Sequence, residues 1–255
     1  MQASATTTKT TYLLRLGDTA LVLSQRLSEL CGKGPALEED MALANTALDL
    51  LGQARLWLSY AGELEGKGRD EDDFAYLRSD REFFNFLLVE QPNGNYADVV
   101  MRGLFFDAWH TLALKGLMQS TDPRIVEIAA KSLKEAAYHL RRSSDLVVRL
   151  GDGTQESRSR MQEAADALWP FTGEMFADDS VDREMAADGE GFDPTELRRD
   201  WLTYLGSVFT AATLQIPPAN AWMQKGGKQG IHSEHLGFLL AEMQVVRRAH
   251  PGAKW

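Results

Sequence analysis

The chain has 255 residues, 44% of them hydrophobic, enough for a substantial core in one large domain. Its net charge of −10 repels phosphate backbones and anionic lipid headgroups, which excludes nucleic acid and membrane surfaces as natural partners. A single cysteine, Cys31, permits no internal disulfide and fits a reducing cytoplasm.

Residues 1–11 are rich in Thr and Ser, lack the apolar core of a signal peptide, and read as a frayed tail. Helical periodicity then runs almost to the end, over a domain expected to span 12–255. Leu16 to Leu30 form a first amphipathic helix, closed by Gly32, Gly34 and Pro35. A second spans Leu37 to Leu64. Its apolar positions Leu37, Met41, Ala44, Leu48, Leu51 and Leu58 recur at three- and four-residue steps, the spacing of a buried face. Glu38, Glu39 and Asp40 occupy its first turn, where they complement the helix dipole. Gly66 to Asp73 reads as a charged loop, Asp80 to Val89 as a short helix, and Gln91 to Asn95 as a turn. A long helix follows from Tyr96 to Met118. Asp122 caps another, with Pro123 at its first position, running to Leu150. Beyond it lie a helix at 155–176, an acidic loop at 178–193, a helix opened by Asp193-Pro194, and a last helix from Ser233 to before Pro251. No stretch is long and apolar enough to span a bilayer. The expected architecture is therefore all-α: a ferritin-like four-helix bundle over about 12–150, with additional C-terminal helices over about 154–255.

Chemistry in such a bundle comes from polar side chains facing inward. A di-iron centre takes a Glu from each of two helices and Glu-x-x-His from each of the other two, because that spacing puts carboxylate and imidazole one turn apart on one face. In the second helix the matching positions read Leu50-Leu51-Gly52-Gln53, with Asn45 and Asp49 on the same stripe as Gln53. In the Asp122-capped helix they read Ala136-Ala137-Tyr138-His139. Leu50 and Ala136 cannot ligate, and Gln53 stands where an imidazole would. Asp107, His110, His139 and Asp49 remain, too few strong donors for two irons. They read as a hydrogen-bonded polar network, or as one weak mononuclear site built from Asp107, His110 and His139.

Five segments carry a resemblance: RLGDTALVLSQRL at 15–27, LDLLGQAR at 48–55, LVEQPNGN at 88–95, KEAAYHLR at 134–141 and GGKQGIHSEHLG at 226–237. Together they resemble the C-subunit family of the bacterial phenylacetyl-CoA epoxidase complex, from about Tyr12 to Trp255. The resemblance implies a catalytically inactive structural subunit that binds no cofactor of its own. A homologous partner subunit would carry the di-iron centre and epoxidise the ring of phenylacetyl-CoA, with O2 and electrons from a reductase subunit. It further implies that Leu50, Gln53 and Ala136 stand where the catalytic relative places ligands. The stretch Glu82, Phe83, Phe84 and Asn85, with Arg183, would lie near the bound CoA ester.

Other signals are weaker. Gly226-Gly227-Lys228 is no phosphate loop, because Gln229 follows the lysine and no strand precedes it. Lys225 and Lys228 read as a basic turn open to an acidic partner or a CoA phosphate. His232, Glu234 and His235 crowd the start of the last helix in no closed zinc spacing. Capping by Ser233, or a contact between subunits through His232 and His235, is the plainer reading. Cys31 reads as a small buried side chain at a helix end. No Gly-x-Ser-x-Gly elbow or dinucleotide fingerprint occurs. A stand-alone acyl-CoA-binding helical protein is the remaining alternative.

Overall fold

The computed structural model describes residues 7–218, 220–251 and 253. Among these, the regular elements are all helical. The chain divides into two compact units: residues up to Pro92 together with Gly226 onward, and Asn93–Lys225. The first unit is discontinuous in sequence, because the last helix returns to it.

In the first unit, α1 (Thr8–Ser28) and α2 (Leu37–Glu65) form an antiparallel hairpin. The segment expected as a tail is helical from Thr8, because the Thr7 hydroxyl accepts the Thr10 N–H at 3.2 Å and caps the helix. Residues 1–6 lie outside the described residues. The turn between the two helices is closed by Asp40, whose carboxylate accepts the amides of Gly32 and Gly34 at 2.8 and 3.0 Å. Cys31, expected buried, is exposed in this turn. Gly17 permits the close crossing of the hairpin: a Cβ there would lie 2.6 Å from Leu58 Cδ2.

The face of α2 that enters the core is Leu43, Ala47, Leu50, Ala54, Trp57, Leu58 and Ala61. This corrects the sequence expectation. Of the positions read as the buried face, Leu37, Met41, Leu48 and Leu51 are exposed and only Leu58 is buried. An almost wholly apolar helix has two candidate faces, and the choice is made by the partner helix rather than by α2 itself.

The segment read as a charged loop holds α3 (Glu71–Tyr76), opened by a reciprocal capping box between Asp70 and Asp73 and anchored by the buried Phe74. The helix expected over 80–89 is instead a single 3-10 turn at Asp80–Glu82, an extended stretch, and α4 (Leu87–Glu90). Side chains of α1 capture the backbone there. The Phe84 N–H donates to the Asp18 carboxylate at 2.9 Å and the Phe86 N–H to the Thr19 hydroxyl at 3.4 Å. These acceptors replace the carbonyls that a helix would use. The last helix of the chain, Glu234–Ala249, covers this region, and Gln244 donates to the carbonyls of Ala75 and Arg78 at 3.0 and 3.1 Å.

The second unit holds α5 (Tyr96–Leu117), α6 (Pro123–Gly151), α7 (Gln155–Leu168), α8 (Ser180–Ala187) and α9 (Pro194–Ala211); the last helix is thus α10. The Asp122 carboxylate caps α6 by accepting the amides of Arg124 and Ile125, and Asp193 caps α9, both as expected. The helix expected over 155–176 ends at Leu168 and continues as two 3-10 turns, since Pro170 has no N–H to extend it. α5 is buried on most of its circumference by α6, α7 and α9. Phe105 lies within 6.3 Å, centroid to centroid, of Trp169, Trp201 and Phe209. The Trp201 indole donates to the Phe105 carbonyl and the Trp109 indole to that of Met175. The fold is thus all-α, with the two long-helix hairpins that a ferritin-like bundle employs.

A deeply buried ion pair joins Arg78 to Asp18, both guanidinium ends engaging the two carboxylate oxygens. Burial pushes the Asp18 carboxyl above the usual carboxylate range, against the pull of Arg78. Replacing Arg78 by Met strands that carboxyl in the core. The expected loss is about 3–5 kcal/mol of stability, read by urea denaturation.

Candidate functional site

The positions singled out in the sequence fall into both units. In the first, Leu50 is completely buried on α2, Gln53 is buried beside it, Asp49 is half-buried and Asn45 is exposed. The expected inward stripe of Asn45, Asp49 and Gln53 is therefore buried only at its C-terminal member. In the second unit, Asp107 and His110 on α5 and Ala136 and His139 on α6 are all buried. Ala136 leaves its turn of α6 without a donor.

Burial dominates the electrostatics of the second cluster. It raises the Asp107 carboxyl from 3.8 to about 6, partly offset by His139, the Ser143 hydroxyl and Arg142. It lowers His110 from 6.5 to about 3, with the nearby His139 adding to the effect. His110 packs against the rings of Phe106 and Trp109, at 4.8 and 6.3 Å between centroids, and its Nδ1 has no hydrogen-bond partner among the described residues. His110 is thus a neutral imidazole in an aromatic setting. Among the described residues, no three or more His, Cys, Asp and Glu side chains gather closely enough to hold a metal ion. The mononuclear site considered for Asp107, His110 and His139 is therefore not assembled. A di-iron centre fits no better, because the side chains at Leu50 and Ala136 have no ligating atom and Gln53 offers only a neutral amide.

Comparison with known proteins follows the same line. All of the chain, residues 1–255, matches the family described as phenylacetic acid catabolic protein. The chain belongs to that family. Within it, the chain is 52% identical, over 246 residues, to the C subunit of 1,2-phenylacetyl-CoA epoxidase from Escherichia coli strain K12. That alignment covers 96% of this chain and 98% of the relative.

The stretch that resemblance to this family places near a CoA ester is largely internal. Phe83 and Asn85 are completely buried, and Asn85 Nδ2 donates to Glu90 at 3.0 Å. Glu82 is exposed but holds the Ser79 amide at 2.8 Å. Phe84 is half-buried. Arg183 lies on the surface of α8, in an ion pair with Asp178 at 2.6 Å. Of the expected basic turn, Lys225 is exposed but Lys228 is buried, which corrects the reading of both as surface charges. His235 is half-buried, and its carbonyl accepts from Arg26 at 3.0 Å. Ser233 precedes α10 as expected, but its hydroxyl makes no cap bond.

His232 is not a surface contact either. Its Nδ1 lies 2.9 Å from the Glu90 carboxylate and its Nε2 2.8 Å from the Phe83 carbonyl. The ring therefore has a hydrogen-bond partner beside each nitrogen, which fixes its orientation. Glu90 also accepts the Ser233 amide at 2.7 Å, and Arg26 donates to the Glu90 carbonyl at 2.9 and 3.1 Å. Sequence reading passed over Asp18, Arg26, Arg78 and Glu90. The only available signal was the presence of charges within otherwise apolar helical stretches.

No helix among the described residues is long and apolar enough to cross a membrane. The second cluster sets a pH dependence. Asp107 has its folded value raised, so its contribution is fully present below about 3.8 and is lost as pH rises through about 6. His110 has its folded value lowered, so its contribution is present above 6.5 and is lost as pH falls toward about 3. Asp107→Asn should therefore gain on the parent by about 2 kcal/mol between pH 4 and pH 7, because each tenfold change in proton affinity is worth about 1.4 kcal/mol and part of the change already lies below pH 4. His110→Phe should flatten the acid limb of the stability curve. Urea titrations across that range read both.

Proposed function

We propose that this chain is the non-catalytic structural subunit of a multicomponent phenylacetyl-CoA epoxidase acting in cytoplasmic phenylacetate catabolism. In this reading it binds no metal of its own. It stabilises a homologous subunit that holds the di-iron centre, within a complex that includes a reductase. One observation carries the proposal. A member of the family over all of its 255 residues, 52% identical to an epoxidase C subunit, has Leu50, Gln53 and Ala136 where a catalytic bundle needs Glu, His and Glu. Non-ligating side chains at those positions within an intact helical frame support a role in stabilising a partner.

Contact with the CoA ester belongs to the same proposal in reduced form. Glu82, Phe84 and Arg183 retain surface, whereas Phe83 and Asn85 act by holding the backbone that presents Phe84.

Reconstitution tests the reading. The homologous subunit alone should turn over phenylacetyl-CoA poorly, and addition of this chain should restore activity. The purified chain should contain less than about one iron per ten molecules by elemental analysis. Stoichiometric iron, or turnover by the isolated chain, would refute the proposal. Calorimetry should register phenylacetyl-CoA binding by the pair and none by the chain alone; heat from the chain alone would favour an independent acyl-CoA carrier. In the reconstituted complex, Arg183→Ala should raise KM about fivefold with kcat unchanged if it meets a CoA phosphate.

A further inference from the structure

α10 packs on α3 and on the turn at Asp80–Glu82, burying Leu236, Leu239, Leu240 and Gln244. It turns a second apolar face outward. Phe238 and Val245 are 69% and 56% exposed, and Gly237 and Ala241 are exposed beside them. Phe238, Ala241, Val245 and Arg248 recur at steps of three, four and three residues, the spacing of a helix that packs along another helix. At 1.5 Å per residue the helix offers about 24 Å for such a contact.

The same face carries both a knob and a recess. Beside the seam runs a groove of about 580 Å³, bounded by Gly237, Ala241, Val245 and Arg248 on α10 and by Ser79 and Asp80 across from them. Its wall is low at Gly237, where an added Cβ would meet nothing within 4 Å. Gly237 has no positive φ, so neither its backbone nor a close neighbour calls for a glycine. A glycine inside a helix costs about 1 kcal/mol relative to Ala. The exposed Phe238 ring projects next to this recess. A patch that holds a knob and a hole side by side is self-complementary, as a twofold contact between identical chains requires.

We propose that the outer face of α10 pairs with the same face of a second copy of this chain, antiparallel about a twofold axis at Ala241, with Phe238 of each copy seated in the groove of the other. Charge along α10 selects this occupant and this direction. Glu234 and Glu242 precede Arg247 and Arg248. Among the described residues, Glu234, Glu242 and Arg248 form no ion pair; Arg248 donates to the carbonyls of Tyr76 and Arg78 at 3.4 and 3.0 Å. A parallel copy would set like charges side by side. An antiparallel copy centred on Ala241 sets Glu234 against Arg248 on both sides of the axis and aligns the helix dipoles head to tail. The same centring brings Gly237 opposite Val245 and Phe238 opposite Gln244, over the groove. Ala241, with its small side chain, then meets itself at the point of closest approach.

Sedimentation equilibrium on the full-length chain tests the pairing. The parent should pass from monomer to dimer with a Kd on the order of 10 µM, as suits a contact built on one helix pair. Phe238→Ser should weaken dimerisation about 100-fold, because the twofold axis counts its loss twice. Gly237→Leu should weaken it as much while raising the melting temperature by about 2 °C, which separates a filled recess from a damaged fold. Glu234→Arg and Arg248→Glu should each weaken self-association about tenfold. An equimolar mixture of those two variants should restore the dimer, because opposite charges then face each other on both sides of the axis. Circular dichroism checks that every variant folds. A parent that stays monomeric at about ten times that concentration overturns the proposal. So does a dimer that survives Phe238→Ser and Gly237→Leu unchanged, or a mixture of the charge variants that dimerises no better than either alone.

Discussion

Glu90 is a completely buried carboxylate, and the first unit is organised around satisfying it. Ser233, Asn85 and His232 supply its donors, and the carbonyl of the same residue takes two bonds from Arg26. A buried charge without such partners would cost several kcal/mol. The donors come from α1, from the stretch after α3, and from residues more than a hundred positions later. Through its side chain and its carbonyl together, this one residue ties α1 and the segment before α10 to the stretch at 85–90. The Asp18–Arg78 pair repeats the device a short way along α1, and its second oxygen fixes the Phe84 amide. The irregular course of residues 79–86 is thus determined by acceptors on α1 and by the His232 ring, and not by the local propensity of those residues.

The second unit is held differently. α5 is enclosed by three helices, and its polar members are the exceptions in an apolar and aromatic core. Asp107 and His110 are both pushed toward their neutral forms by that burial.

Much of this was legible in the chain itself, and the failures have physical causes. Caps at Asp122 and Asp193 announced their helices because a capping carboxylate acts within its own turn. The vacated donor positions at Leu50, Gln53 and Ala136 were equally local, since the side chains have no chemistry to offer. The segment 80–89 was misread as a helix because its backbone bonds go to Asp18 and Thr19, some sixty-five residues away. His232 was misread as a surface group because its partners Glu90 and Phe83 are about 145 residues distant. The apolar stripe read on α2 is mostly exposed, because a helix apolar nearly all round offers two faces and its period does not say which one packs on α1.

The discontinuity of the first unit has a consequence for synthesis. Residues Asn93–Lys225 form an uninterrupted unit that can close as soon as it leaves the ribosome. The first unit cannot, because Glu90 waits for His232 and Ser233, and α3 waits for Gln244. At typical elongation rates that wait is on the order of ten seconds. For that interval the α1–α2 hairpin lacks the cover that α10 later brings to the region after it. The N-terminal segment is made first and finished last, which makes the nascent chain, rather than the mature one, the form most exposed to proteases and to premature association.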